Sequence, residues 1–212
     1  MLLAAAIPAK PGQWVLEGGA GAGAALLCLA ARAGPLAGIG IERDQRWAQL
    51  AQENALTNGF PTIRFVAADV EMLPVSGPFD HAFANPPYHR DEGTVPASMA
   101  RQQAKRARVG LFADWAAALA TPLRHGGSLT FIITATVLPT CMAAFENAGC
   151  GPRAVFPLWP KTGDAAKLVL LSGRKGGRAP CRLLAGLALH ERNGQFTPEA
   201  EAVLRHSGSL DL

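Results

Sequence analysis

Four consecutive residues have the chemistry to hold a planar group that carries an amine: Asn85, Pro86, Pro87 and Tyr88. The side-chain carbonyl of Asn85 and the main-chain carbonyl of Pro86 can each accept one amine hydrogen, while Tyr88 offers a face for stacking. The apolar run 80–84 predicts a buried strand, which the prolines end because they cannot donate to a ladder. The tetrapeptide is therefore expected at the carboxyl end of a strand, where ligands bind in open α/β sheets.

A second candidate site is the glycine-rich turn of residues 18–23, which follows a short apolar run. Because Gly19, Gly21 and Gly23 have no side chains, backbone N–H groups and the next helix's N-terminus can approach a ligand closely. Taken alone, the spacing fits a methyl-donor site, a dinucleotide site or a purely structural turn.

Three acidic residues stand near predicted strand ends and narrow these choices: Glu17, Glu42 and Asp69. Glu42 can accept hydrogen bonds from both hydroxyls of a ribose, and Asp69 from an adenine amino group. A carboxylate at Glu17 suits the cationic S-adenosylmethionine and would repel the pyrophosphate of NAD. Each carboxylate alone is equally compatible with a helix charge, a loop carboxylate or a turn cap.

Their joint placement predicts S-adenosylmethionine as the cofactor. The expected cofactor-binding residues are Glu17, Gly19, Gly21, Gly23, Glu42, Asp69, Val70 and Asn85.

The elements that must position these residues alternate between strand and helix. Strands are predicted at 14–17, 37–42, 62–67, 80–84, 127–134 and 166–172, with an edge strand at 183–190. Helices are predicted at 24–32, 45–57, 111–123 and 137–147, and a polar loop over the site at 89–108. This alternation predicts an α/β fold, a mostly parallel sheet with helices on both faces.

Composition limits the class of protein. With 212 residues and 49% apolar content, the chain can bury one core, so we expect a single domain over 1–212. The four cysteines and five histidines show no metal-ligand spacing, so we expect no metal and reduced thiols in a cytoplasmic protein. No segment is long and apolar enough to predict a membrane span.

The net charge of +4 is unevenly distributed. Residues 1–100 contain 6 Lys/Arg and 9 Asp/Glu, whereas residues 101–212 contain 14 and 7. Two clusters in the second half could hold a polyanion such as RNA, and a solubilising face is the alternative. Their residues are Arg101, Lys105, Arg106 and Arg108 in the first cluster, and Arg174, Lys175 and Arg178 in the second.

The order of Glu17, the glycines, Glu42, Asp69 and Asn-Pro-Pro-Tyr resembles the class I S-adenosylmethionine-dependent amino-methyltransferases, over about residues 10–172. The resemblance implies a Rossmann-like, mostly parallel seven-stranded sheet, with Asn85, Pro86 and Tyr88 as the catalytic residues. Members of the family methylate adenine N6, cytosine N4, guanine N2 or a glutamine side-chain amide.

The tail at 183–190 and 194–204, together with Gly93, Thr94 and residues 113–115, resembles the tRNA adenine-N6 methyltransferases. This implies an adenosine beside the anticodon of a tRNA as acceptor. Pro87, His89 and the basic clusters would then contact the substrate, although His89 is as readily explained as a solvated loop residue.

Relatives carry a segment before the glycine turn that covers the cofactor. This chain reaches Trp14 within 13 residues, so we expect that lid to be short or missing.

Several alternatives stay open on the sequence. The acceptor could instead be a guanine N2 in rRNA or a glutamine in a protein. A cofactor-binding module without catalysis and an NAD oxidoreductase are the further candidates. The exact acceptor and the oligomeric state do not follow from these patterns.

Overall fold

A nine-stranded sheet forms the centre of the protein in the computed structural model, which describes residues 1–87 and 110–212. Its strands are β1 (Trp14–Gly18), β2 (Ala37–Glu42), β3 (Ile63–Ala67), β4 (Phe79–Ala84), β5 (Leu123–Thr134), β6 (Cys150–Lys161), β7 (Leu168–Lys175), β8 (Arg182–Leu183) and β9 (Leu187–His190). Their order is β3-β2-β1-β4-β5-β7-β6-β8, and β9 also pairs with β6. Only β7 runs antiparallel to its neighbours in this ladder, which confirms the predicted mostly parallel sheet.

The helices lie on both faces of the sheet, as predicted. They are α1 (Leu2–Ala5), α2 (Ala24–Ala33), α3 (Gln45–Thr57), α4 (residues 110–120), α5 (Leu138–Asn147) and α6 (Pro198–Arg205). Two short 3-10 turns, Val70–Met72 and Ala135–Val137, follow β3 and β5. Side-chain caps begin two of the helices: Asp44 accepts from the Arg46 N–H at α3, and Thr197 accepts from the Ala200 N–H at α6.

Two hydrophobic clusters, one on each face, hold the layers together. Leu16 belongs to the cluster that includes α4 and α5, whereas its neighbour Val15 belongs to the cluster that includes α1, α2 and α6. Successive residues of a strand point to opposite faces, so the apolar run of β1 contributes to both cores. This explains why the apolar residues of β1 are consecutive and do not alternate with polar ones.

The sheet has nine strands where seven were expected, and the difference lies at the side formed by β6, β8 and β9. The sequence did not predict β6, because Pro152, Pro157 and Pro160 within it argue against a strand. Where one edge strand was expected at 183–190, the structure has two, β8 and β9, separated by Gly186. That glycine has a φ of +82°, and a Cβ there would collide with the Pro157 carbonyl.

Residues 1–87 and 110–212 contain neither a membrane-spanning helix nor a metal-binding cluster. No helix there has the length and apolarity that a membrane crossing requires. No three His, Cys, Asp or Glu side chains in these ranges are grouped so that they could hold a metal ion.

Candidate active site

Strand register brings the predicted cofactor and acceptor residues to one edge of the sheet. Gly18, the last residue of β1, pairs with Ile41 on one side and with Ala84 on the other. The residues that follow, Glu42 after Ile41 and Asn85 after Ala84, therefore flank the glycine turn. We call this side of the sheet the carboxyl edge.

The three glycines of the turn all adopt left-handed backbone conformations, with φ of +67° at Gly19, +52° at Gly21 and +87° at Gly23. A Cβ at Gly23 would lie 2.7 Å from the Phe65 ring, so this glycine allows α2 to pack closely on the sheet. A Cβ at Gly21 would meet no atom within 4 Å. The space over Gly21 is therefore open to a ligand, as a nucleoside cofactor requires.

Glu42 links this turn to the end of β2. Its Oε2 accepts a hydrogen bond from the Gly21 N–H at 2.8 Å, and its Oε1 accepts one from the Asp44 N–H at 2.9 Å. Each carboxylate oxygen can accept a second bond, so these contacts leave acceptor capacity for ribose hydroxyls. The side chain is thus held in place beside the open turn.

Glu17 is buried beneath the turn, with 4% of its surface exposed. Its Oε2 accepts a hydrogen bond from the Leu26 N–H at 3.1 Å, in the first turn of α2. The pKa of this carboxyl rises to about 8, mainly because of burial. The Leu26 hydrogen bond and the charge of the chain's N-terminus act to lower it, and the charge of Glu42 acts to raise it. The contact matches the alternative interpretation, a side chain that caps α2, and its role toward the cofactor stays a prediction.

Asp69 and Val70 lie just beyond β3 at the same edge. Asp69 accepts a hydrogen bond from the Glu71 N–H at 2.9 Å and so caps the 3-10 turn. Val70 is buried, with its Cγ1 3.4 Å from the position that a Cβ on Gly18 would occupy. The position of Asp69 is compatible with the predicted contact to adenine, which stays a prediction.

The residues predicted to hold the methyl acceptor follow β4 directly. Asn85 is exposed, Pro86 is buried and Pro87 is exposed. The rest of the predicted acceptor surface lies outside the described residues, namely Tyr88, His89, Arg101, Lys105, Arg106 and Arg108.

The second basic cluster is far from this edge. Arg174 pairs with Ser128, which pairs with His81 near the start of β4. Arg174 Nη1 donates to the Gly126 carbonyl at 2.8 Å. Lys175 Nζ donates to the carbonyls of Ala120 and Thr121, at 2.7 and 2.8 Å, at the end of α4. The structure therefore does not bring this cluster next to Asn85, and its predicted contact with RNA stays a prediction.

Trp115 is a residue of the site whose position the sequence did not reveal. It is 8% exposed, and its Cη2 lies 2.9 Å from the position of a Cβ on Gly19. Leu119, one turn later on α4, lies 3.1 Å from the corresponding position on Gly18. The i, i+4 spacing of two large apolar residues was the available signal, but it indicates only a buried helix face.

A comparison with family models matches residues 15–105 to a model described as a methyltransferase domain. The matched range begins in β1 and contains the glycine turn, Glu42, Asp69 and Asn85. A comparison with the curated proteins gives no match for this chain.

Solved structures share the whole architecture. A structure titled a predicted O-methyltransferase, protein Atu636 from Agrobacterium tumefaciens, is 24% identical with a TM-score of 0.82, covering 100% of this chain and 97% of that one. TrmN from Thermus thermophilus is 24% identical with a TM-score of 0.61, covering 78% of this chain and 45% of that one. Geranyl diphosphate methyltransferase in complex with SAM is 15% identical with a TM-score of 0.61, covering 82% of each chain.

These likenesses establish the fold, and the matched model covers the strands and the turn that form the open cradle beside Glu42. Residues 15–105 are thus similar to a methyltransferase domain within a Rossmann-like methyltransferase fold, and the cofactor is S-adenosylmethionine.

Proposed function

We propose that the protein transfers a methyl group from S-adenosylmethionine to the exocyclic N6 of an adenosine in tRNA, next to the anticodon. The observation that carries this proposal is the position of Asn85 and Pro86 directly after β4, beside the glycine turn on β1. Two carbonyl acceptors for an amine thus lie next to the methyl donor's cradle.

An exocyclic amine is a weak nucleophile because its lone pair is delocalised into the base. Asn85 and Pro86, by accepting the two amine hydrogens, would orient the nitrogen so that its lone pair points at the methyl group. The bound cofactor supplies an electrophilic methyl group on a sulfonium. Catalysis then consists mainly of positioning and electrostatic stabilisation, and the proton can leave after the transfer.

The pair of acceptors favours a nitrogen over an oxygen as the methylated atom. A hydroxyl has one hydrogen to donate, whereas a primary amine has two. Pro86 is buried at the end of β4, so its main-chain carbonyl is fixed relative to the sheet.

Charge favours a nucleic acid as the acceptor. Residues 101–212 carry 14 Lys/Arg and 7 Asp/Glu, a net +7, against 6 and 9, a net −3, for residues 1–100. A basic half suits a polyanion such as tRNA. An anticodon loop presents unstacked bases, so that a single adenine can enter a pocket at low cost.

Methyl transfer from labelled S-adenosylmethionine to total tRNA, followed by digestion to nucleosides, tests the proposal. We expect N6-methyladenosine as the product. Parallel reactions with rRNA and protein extract identify the other acceptors, because N2-methylguanosine and methylglutamine differ from it in mass. Transfer to rRNA or protein without transfer to tRNA would contradict the proposal.

Asn85→Ala separates an enzyme from a cofactor-binding module. We expect turnover to fall by about 10²-fold or more, because an acceptor of the amine is lost, while the thermal unfolding midpoint stays unchanged. Asn58→Ala, at the exposed end of α3, is the control and keeps full turnover. Equal turnover in all three proteins would show that Asn85 does not act on the substrate.

A further inference from the structure

We propose that the protein binds RNA phosphates on a second surface, at the end of the sheet opposite to Asn85. This inference rests on the proposed RNA acceptor. The surface consists of exposed arginines around an open cavity at the starts of β6 and β8 and the end of β7. We call it the amino-edge surface, and its arginines are Arg153, Arg178 and Arg182.

Register places the backbones of these residues at the same end of the sheet. Arg182 on β8 pairs with Ala154, next to Arg153 on β6. The start of β6 pairs with the end of β7, Cys150 with Lys175, and the Gly176 N–H donates to the Gly149 carbonyl at 2.8 Å. Arg178 therefore lies in the loop that connects this strand end to β8.

The cavity between these elements has a volume of about 560 Å³ and a floor made of glycine backbone. A Cβ on Gly151 would collide with the Gly177 carbonyl, and one on Gly176 would collide with the His125 ring. These glycines therefore let the chain pack closely on itself, and they line the cavity with bare backbone. A ligand strand in the cavity would meet this backbone, with Arg178 and His125 at the cavity wall.

The charge of this surface fits phosphate. Arg153, Arg178 and Arg182 are exposed, and none of them has an ion-pair partner within residues 1–87 and 110–212. Among the residues of these two ranges, Glu146 contributes the carboxylate that lines the cavity. All three exposed cations are arginines, whose planar guanidinium pairs with phosphate through two hydrogen bonds.

Two half-buried cations extend the positive region. Arg174 and Lys175 donate to backbone carbonyls, and neither forms an ion pair within residues 1–87 and 110–212. The described part of the carboxyl edge is different, because it carries the carboxylates Glu42 and Asp69. Among the described residues, the amino-edge surface is therefore the more attractive one for a polyanion.

The distance to Asn85 limits the kind of RNA. Six residues of β4 separate Phe79 from Asn85, about 20 Å, and three strand spacings separate β4 from β6, about 14 Å. An RNA that contacts both places must span about 25 Å. A folded tRNA is large enough to reach both, whereas a free nucleoside is not.

The test uses the full chain and a fluorescently labelled tRNA, whose binding is measured at several KCl concentrations. The variant is Arg153→Gln, Arg178→Gln and Arg182→Gln together. The matched control is Arg46→Gln, Arg64→Gln and Arg205→Gln, three exposed arginines on α3, β3 and α6. Both proteins lose three positive charges.

We expect the amino-edge variant to bind tRNA at least about tenfold more weakly, with a slope of log K against log salt lower by about 2 to 3. The control should bind within about twofold of the wild type with an unchanged slope. Equal losses in both variants, or no loss in the amino-edge variant, would overturn the inference. Binding of S-adenosylmethionine and the unfolding midpoint, measured on the same samples, report on the fold.

Nucleoside analysis of the same reactions separates this inference from the proposed function. If wild-type protein binds tRNA through these arginines but forms no N6-methyladenosine, the acceptor assignment fails and the surface stands. If N6-methyladenosine forms and the amino-edge variant binds tRNA normally, the surface fails and the acceptor stands.

Discussion

Glu17 shows how a polar side chain at the carboxyl edge serves the fold. It is buried, it caps α2 through the Leu26 N–H, and it lies below the glycine turn. Burial disfavours its charged form, so its pKa in the ligand-free protein rises from 4.5 to about 8. The amine and sulfonium of the cofactor would favour the charged form.

The raised pKa of Glu17 makes stability depend on pH. Between pH 4.5 and 8 the folded state binds more protons at this carboxyl than the unfolded state, so the free energy of unfolding falls as pH rises. Buried His81, whose pKa is lowered to about 4 mainly by burial, has the opposite effect up to about pH 6.5. The Glu17 contribution is therefore clearest from pH 6.5 to 8, with a slope of at most about 1.4 kcal/mol per pH unit.

Glu17→Gln should remove this slope, because glutamine keeps the acceptor for Leu26 and does not titrate. Urea unfolding at pH 6.5, 7.25 and 8 measures how the free energy of unfolding changes with pH. Glu53→Gln, on the exposed face of α3, is the control and should keep the wild-type slope. The same decline in Glu17→Gln as in the wild type would contradict the assignment.

A second prediction concerns the stability of alanine variants at two glycines of the turn. Gly19→Ala adds a Cβ 2.9 Å from Trp115 at a φ of +67°, whereas Gly21→Ala adds one in open space at +52°. Both variants carry backbone strain of about 1–2 kcal/mol. Without cofactor, we expect Gly19→Ala to be less stable than Gly21→Ala by about 1 kcal/mol or more, because only Gly19→Ala clashes.

Denaturant titrations of the two alanine variants measure the difference. The double variant Gly19→Ala with Trp115→Phe should recover part of the loss relative to Trp115→Phe alone, because the shorter ring leaves room for the methyl group. If the two single variants are equally stable, the indole does not restrict Gly19.

Among the helices, α4 makes contacts at both ends of the parallel strands. Its face carries Trp115 and Leu119 over the end of β1, and its last carbonyls accept from Lys175 at the end of β7. A cation at a helix C-terminus is favourable, because the unpaired carbonyls carry partial negative charge. A residue that the sequence suggested for RNA binding thus also anchors the helix that covers the cofactor turn.

Lys175→Met should therefore destabilise the protein by about 1 kcal/mol and lower its unfolding midpoint by roughly 2–4 °C. It should also increase hydrogen exchange in residues 110–120 and weaken cofactor binding. Lys167→Met, just before the opposite end of β7, is the control and should leave all three quantities unchanged. Identical exchange in α4 for both variants would show that Lys175 does not hold the helix.

On the scale of the whole molecule, charge and ligand sites are separated along the strands. The carboxyl edge gathers the acidic cofactor residues, and the amino edge gathers Arg153, Arg174, Lys175, Arg178 and Arg182. Parallel strands make this separation possible, because residues after the strands and residues before them lie at opposite ends.

Cofactor binding should stabilise the whole molecule. At a hundredfold excess over its Kd, S-adenosylmethionine should add about 2.7 kcal/mol to the free energy of unfolding. The midpoint should then rise by roughly 5–10 °C in a thermal scan. NAD at the same concentration should have no effect, because the carboxylates at this edge repel its pyrophosphate. A rise with NAD alone would contradict the cofactor assignment.

The sequence by itself determined the elements from β1 to β4, because each is a local pattern. Glycines mark the turn, Asn58 and Gly59 follow the end of α3, and the prolines end β4, so these boundaries agree with the structure to within about a residue. The same patterns identified the cofactor, since a parallel sheet brings residues after successive strands to one edge.

Only the tertiary structure decided what depends on distant pairing. The prolines of β6 argue against a strand, so the sequence did not predict it. Ladders with β7, β8 and β9 hold it in the sheet. Antiparallel pairing of β7 put Arg174 and Lys175 at the edge opposite to Asn85, although the sequence predicted that both basic clusters contact the RNA substrate. The contact of Trp115 with Gly19 likewise joins residues 96 positions apart, and no local pattern encodes such a contact.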